Sequence, residues 1–287
     1  MSKSNMLLGL AKGRVGDLVF YRDGGEQRTR TRVIPKNPRT PAQMTQRAKI
    51  ANVTALYRAL SNVVRVSFTN RPTNQSGYNA FAAHAIGVSP YITREMALVG
   101  SVLPQPAQVS KGVLPSLPFK IQTVDDGPAY GLTLTGVTGE APTVGDISSA
   151  LVANYPSLQN GDVITAVTLR FAAVEDVQEG VDKYSANPLV RQFIVDTTSS
   201  ASFAEGDFSL NGSTFAASDI SDGFDQFVQM SAYFVSRIDA NGAAQTSTDF
   251  FQLSETAQSL YDGYRTPAAI QQAIDSYNVG QVDILRK

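Results

Sequence analysis

The sequence predicts an α+β fold: an N-terminal basic β-hairpin and helix pair, followed by an antiparallel β-sandwich-like body with C-terminal helices. Three observations predict it. A basic run with strand alternation leads into a proline-marked helix start, and apolar residues then recur at helical spacing through about residue 66. From Phe119 the apolar period shifts toward two, with turn signals at short intervals. At Thr266-Pro267 a second cap-plus-proline start returns the chain to helix.

The hairpin lies within residues 13–33. Leu18-Val19-Phe20-Tyr21 is a β-prone run ending at Asp23-Gly24-Gly25, where both glycines accept the positive φ of a tight turn. The return strand, Gln27 to Val33, alternates arginine with threonine. Arg28, Arg30 and Arg32 therefore share one face, and Thr29, Thr31 and Val33 the other. Three guanidiniums cannot face a low-dielectric core and must meet water, carboxylates or phosphates. Three readings stay open. The row is a solvated edge protected by charge, a face for phosphates or an acidic partner, or an aperiodic basic loop.

Pro35, Pro38 and Pro41 break the strand, and Thr40-Pro41-Ala42-Gln43 reads as a capping box with proline at the first helical position. Ile50, Val53, Tyr57, Leu60 and Val64 form the apolar stripe of the first helix, leaving Gln46, Lys49, Asn52, Arg58 and Arg65 off it. Tyr78 to Ile86 is a second, alanine-rich helix. The domain reading follows from these shifts: residues 1–87 as basic hairpin arm and helix pair, 88–118 as a proline-rich connector, 119–253 as the β-rich body, and 254–287 as a C-terminal helical segment. Within the body, strands are expected at 129–137, 163–174, 190–197, 208–210, 227–238 and 245–253. A short helix is expected over 147–154, and a last strand over 282–287.

Charge divides the chain. Residues 1–71 hold 14 Lys and Arg against 3 Asp and Glu, and the remainder holds 10 against 22. That split suits an anionic partner for the basic part, or neutralisation of one part by the other within or between subunits. With no cysteine there is no disulfide framework, thiolate metal site or cysteine nucleophile. No apolar run approaches a signal peptide or a membrane span, so no membrane contact is expected.

Enzyme chemistry finds no foothold in the sequence. His84 is the only histidine and has no acidic residue within a helical turn. Neither a dinucleotide fingerprint nor a P-loop is present. Asp125-Asp126 and Glu175-Asp176 are adjacent carboxylates, and neighbours on a strand point to opposite faces. No catalytic residue, metal or cofactor is expected. Tyr21, set among the arginines, is the aromatic placed to stack on an unpaired base.

Specific runs also carry a resemblance. GDLVFYRDGGEQRTRTR and NPRTPAQMTQRAKIANV resemble an uncharacterised domain family of Bacteroidetes-type gut bacteria and their phages, and are similar to open reading frames of small single-stranded-DNA phages. Val109–Pro115 resembles that family's S-x-G-x-L junction after the helices, and Phe234–Gly242 its closing hairpin. The likeness is close over the N-terminal third and loose beyond it. It implies a phage context and a β-rich body, and no catalytic residues.

The expectation that follows is a non-enzymatic phage virion protein made in the host cytoplasm: capsid-associated, connector or minor structural component. Its partners would be other virion subunits or itself as a homo-oligomer, and single-stranded or packaged DNA. The residues expected to contact DNA or an acidic partner are Arg28, Arg30, Arg32, Lys36, Arg39, Arg47, Lys49 and Tyr21. The alternative is a non-structural, sequence-independent single-stranded nucleic-acid-binding protein of replication or packaging. A host-encoded interaction module is a third.

Overall fold

A computed structural model of the protein describes residues 13–23, 26–33, 39–124, 127–137, 141–174, 180–203, 206–220, 223–225 and 227–279. The chain divides into two compact units, Met1–Thr40 and Pro41–Lys287.

Among its described residues the first unit holds a three-stranded antiparallel sheet in the order β1 (Gly13–Val15), β2 (Leu18–Asp23), β3 (Glu26–Thr31). The expected hairpin is β2–β3, with Asp23 opposite Glu26 at its tip, while Gly24-Gly25 lies outside the described residues. The strand before it comes from Gly13-Arg14-Val15, folded back at Gly16, whose φ of 59° is the left-handed conformation glycine accepts without strain.

The second unit opens with α1 (Pro41–Ser67), α2 (Gly77–Val88) and the short α3 (Arg94–Leu98). β4 (Gln108–Ser110) leads to the hairpin β5 (Lys120–Val124) and β6 (Gly127–Thr133), then α4 (Val144–Asn154). The long strands β7 (Val163–Ala173) and β8 (Tyr184–Ile194) precede a small hairpin, β9 (Phe208–Asn211) and β10 (Thr214–Ala217). β11 (Gln229–Ile238) is followed by the fragments β12 (Ala244–Thr246), β13 (Asp249–Phe250) and β14 (Gln252–Leu253). Helices α5 (Glu255–Gly263) and α6 (Pro267–Val279) complete the described chain.

A central antiparallel sheet in the order β12-β11-β7-β8 separates two cores. On one face Val167, Leu169, Phe171, Met230, Ala232 and Phe234 pack against α1, α2 and α5. On the other, Ile164, Ala166, Tyr233 and Val235 pack against α4 and a second sheet ordered β5-β6-β10-β9. Burial on both faces explains why β7 reads as a near-continuous apolar run, VITAVTLRF. Tyr233 centres the second core. Its ring stacks on Phe119 at 4.0 Å, and its hydroxyl donates to the Tyr130 carbonyl and accepts from the Ala217 N–H.

Several sequence expectations shift. β8 begins at Tyr184, before the expected residue 190, and carries Pro188 because it is the edge strand of its sheet and has a side with no ladder partner. Helix α4 starts three residues early, at a capping box in which Thr143 and Asp146 bond each other's backbone N–H. The expected strand over 245–253 is three short pieces. The first-helix stripe is rotated from the expected one: Ile50 is 42% exposed, whereas Asn52 is fully buried with Met44, Ala48, Val53, Leu56 and Leu60.

Asn52 explains much of residues 88–118. Its side chain accepts from the Leu103 N–H at 2.8 Å and donates to the Leu103 carbonyl and the Gln105 side chain. Ser67 donates to the Val109 carbonyl. This proline-rich stretch therefore runs beside α1 with Ser101–Gln105 and Ala107–Ser110 buried. The expected strand at 282–287 and both adjacent-carboxylate pairs lie outside the described residues.

Candidate functional site

The sheet of the first unit has two chemically distinct faces. Cross-strand pairing sets Arg14 opposite Val19, Val19 opposite Arg30, and Tyr21 opposite Arg28. Directly paired residues share a face, so Arg14, Arg28, Arg30, Val19 and Tyr21 project together. Arg30 lies over the Tyr21 ring, its guanidinium carbon 5.5 Å from the centroid, which holds a flat cation against a flat aromatic. Val15, Leu18, Phe20, Thr29 and Thr31 occupy the other face, with Val15 and Leu18 exposed.

Charge concentrates here. Residues 1–40 carry nine Lys and Arg against three Asp and Glu, and residues 41–287 carry fifteen against twenty-two. The Arg28–Glu26 contact, 3.7 Å between exposed groups, neutralises little of the row. Arg14 bonds the Gly16 carbonyl through Nε, which fixes the base of its side chain. Strand residues of one face are spaced by roughly 7 Å, so Arg28 and Arg30 can meet successive anionic groups along an extended strand.

The expected site residues separate into groups. Arg28, Arg30 and Tyr21 come together on one sheet face, and Arg32 follows, exposed, one residue past β3 with its N–H bonded to Asp17. Arg39 is half-buried with a left-handed φ of 50°. Lys36 lies outside the described residues. Arg47 and Lys49 belong to α1 in the second unit; two residues apart on a helix, they point to nearly opposite sides. Lys49 sits over the Tyr91 ring at 5.0 Å. Arg14 was missed, although Gly16-Asp17 between two short β-prone runs is a turn signal that could have revealed it.

The second unit holds an open cavity of about 430 Å³ over the central sheet, past the C-terminal end of α1, lined by Val66, Thr165, Phe234, Arg237, Ile238 and Thr246 among others. Its one buried charge pair is internally satisfied. Asp162 accepts both Arg237 Nε and Nη2 and the Gln159 N–H, and Arg237 also reaches the Ser157 carbonyl. Such a pair orients a wall and offers no spare charge to a ligand. His84 packs on Phe250, centroids 5.0 Å apart, and partial burial lowers its pKa from the usual 6.5. Among the described residues no group of three or more His, Asp or Glu is placed to hold a metal, and no helix is long and apolar enough to cross a membrane. No family model, curated protein or solved structure matches this chain.

Proposed function

We propose that the chain is a structural component of a phage particle whose N-terminal sheet holds packaged single-stranded DNA through its arginine face. The observation that carries the DNA contact is the joining of Arg14, Arg28 and Arg30 with Tyr21 on one face of a sheet that forms its own unit. Guanidiniums take phosphate oxygens in bidentate fashion, and an aromatic beside them stacks on a base of any identity. The reading therefore requires binding without sequence preference. The larger, net acidic unit supplies the rigid body for subunit contacts, and the phage context rests on the resemblance of the N-terminal third. Particles purified through a density gradient from a culture producing the protein should retain it after nuclease treatment of their exterior. Protein confined to the soluble fraction would contradict the structural role and favour a soluble single-strand-binding protein.

A further inference from the structure

A second cluster of cationic and hydroxyl groups lies within the second unit, where α3 and α6 pack on α1. A cleft of about 400 Å³ there is lined by Arg47, Ile50, Arg94, Ala97, Leu98 and Tyr277. The Arg94 backbone N–H donates to Ser276 Oγ at 2.9 Å, which pins the start of α3 to α6 beside Tyr277. Two polar groups in this cleft lack partners. Among the described residues the Arg94 guanidinium makes no hydrogen bond or ion pair, and the enclosed Tyr277 hydroxyl has no hydrogen-bond partner. An enclosed hydroxyl without a partner is costly and rarely left so in a working protein. Burial raises the Tyr277 pKa, as does the charge of Glu95, while Arg47 and Arg94 act the other way; the hydroxyl stays protonated and is a donor. Among the described residues Glu95 forms no ion pair with the Arg94 guanidinium. Beside these donors the wall is apolar, with Leu98 72% and Ile50 42% exposed.

We propose that this cleft is a nucleotide site: Arg94 and Tyr277, with Arg47 beside them, take one phosphate, and the base lies on the wall of Ile50, Ala97 and Leu98. Forked donors fit a phosphate oxyanion, and exposed apolar side chains fit the flat group it carries. The same chemistry is offered by a free nucleotide and by one unit of a strand.

The test uses the full chain with Arg14, Arg28, Arg30 and Arg32 changed to Gln, so that binding on the sheet face is removed from the readout. Calorimetric titration with thymidine monophosphate, a short oligothymidylate and inorganic phosphate should show binding of one or both nucleotides and much weaker binding of phosphate alone. Arg94→Gln should weaken nucleotide binding by about tenfold, the loss of one charge-assisted contact. Tyr277→Phe should weaken it with no loss of thermal stability, because the hydroxyl it removes has no partner in the free protein. Preference for the monophosphate identifies a free nucleotide as the ligand, and preference for the oligomer identifies a strand. Inorganic phosphate binding as tightly as either, or nucleotide binding indifferent to Arg94→Gln in a variant with an unchanged melting temperature, would overturn the assignment. Absence of nucleotide binding would do so too. The reading of the sheet face stands or falls separately, since its arginines are already removed.

Discussion

Arg237 grips Asp162 with two nitrogens, Nε to Oδ1 at 2.6 Å and Nη2 to Oδ2 at 2.7 Å, and so ties the end of β11 to the loop that enters β7. Asp162 is only 1% exposed, so removing its partner strands a buried carboxylate. Arg237→Ala should cost about 3–5 kcal/mol in urea unfolding. The exposed Arg191–Asp207 pair, at 3.2 Å, is the internal control, and Arg191→Gln should cost at most about 1 kcal/mol. Equal losses would show that Arg237 contributes no more than a surface charge.

Asn52 is the polar fastener between α1 and the proline-rich stretch. Asn52→Ala leaves the buried Leu103 N–H and the Gln105 side chain without this partner, a cost of about 2–3 kcal/mol. Gln46→Ala, on the exposed side of the same helix, should change stability by less than about 0.5 kcal/mol. Urea melts of the two variants check this directly, and equal stability would place Asn52 at the surface.

Gly112 sits where the S-x-G-x-L run crosses β12. A Cβ there would lie 1.8 Å from the Thr246 carbonyl oxygen, and the Gly112 N–H and C=O both bond the Thr248 hydroxyl. Backbone cannot yield as a side-chain tip does, so Gly112→Ala should destabilise by about 2 kcal/mol or more. Gly87→Ala, which meets nothing within 4 Å inside α2, should be neutral or slightly stabilising. A thermal melt that ranks the two the other way would refute the close crossing.

What the sequence made legible follows from the range of the forces involved. Alternation in Gln27–Thr31, the β-branched run of β7 and the Thr266-Pro267 start are local signals, and each marks an element that forms. Asn52 and Ile50 were assigned to the wrong sides of α1 because which arc of a helix is buried depends on what packs there. Asn52 meets a partner 51 residues away. Residues 88–118 have the composition of a linker, yet extended proline-rich chain can be buried when a neighbouring side chain answers its backbone groups, as Asn52 and Ser67 do. For the candidate site, the shared face of Arg28 and Arg30 was legible from alternation, whereas Arg14 required knowing that a third strand pairs with β2.

His84, the only histidine in the chain, gives a pH signature. Burial lowers its folded-state pKa below the usual 6.5, so the unfolded chain binds the proton more readily. Stability contributed by neutral His84 is present above that value and lost as pH falls through it. Asp249 has the opposite sign, since burial raises its pKa and acidification favours its folded form. The difference between wild type and His84→Gln isolates the histidine. Urea melts at about pH 7.5 and about pH 5.5 should show a smaller acid loss in the variant, and identical losses would mean that the Phe250 contact does not bury the ring.

The role proposed for the arginine face of the N-terminal sheet is to hold single-stranded DNA. Its most direct test is a titration of a labelled oligonucleotide at three salt concentrations. Wild type should bind without sequence preference and lose affinity steeply with salt, each phosphate contact adding about −0.7 to the slope. Changing Arg28, Arg30 and Arg32 to Gln should reduce that slope by about 2, and adding Arg14→Gln by about a further 0.7, with the fold intact. Negligible wild-type binding, together with loss of particle incorporation in the triple variant, would assign the face to an acidic neighbouring subunit. Wild-type levels of both in the triple variant would rule out a binding role for this face and leave a solvated edge.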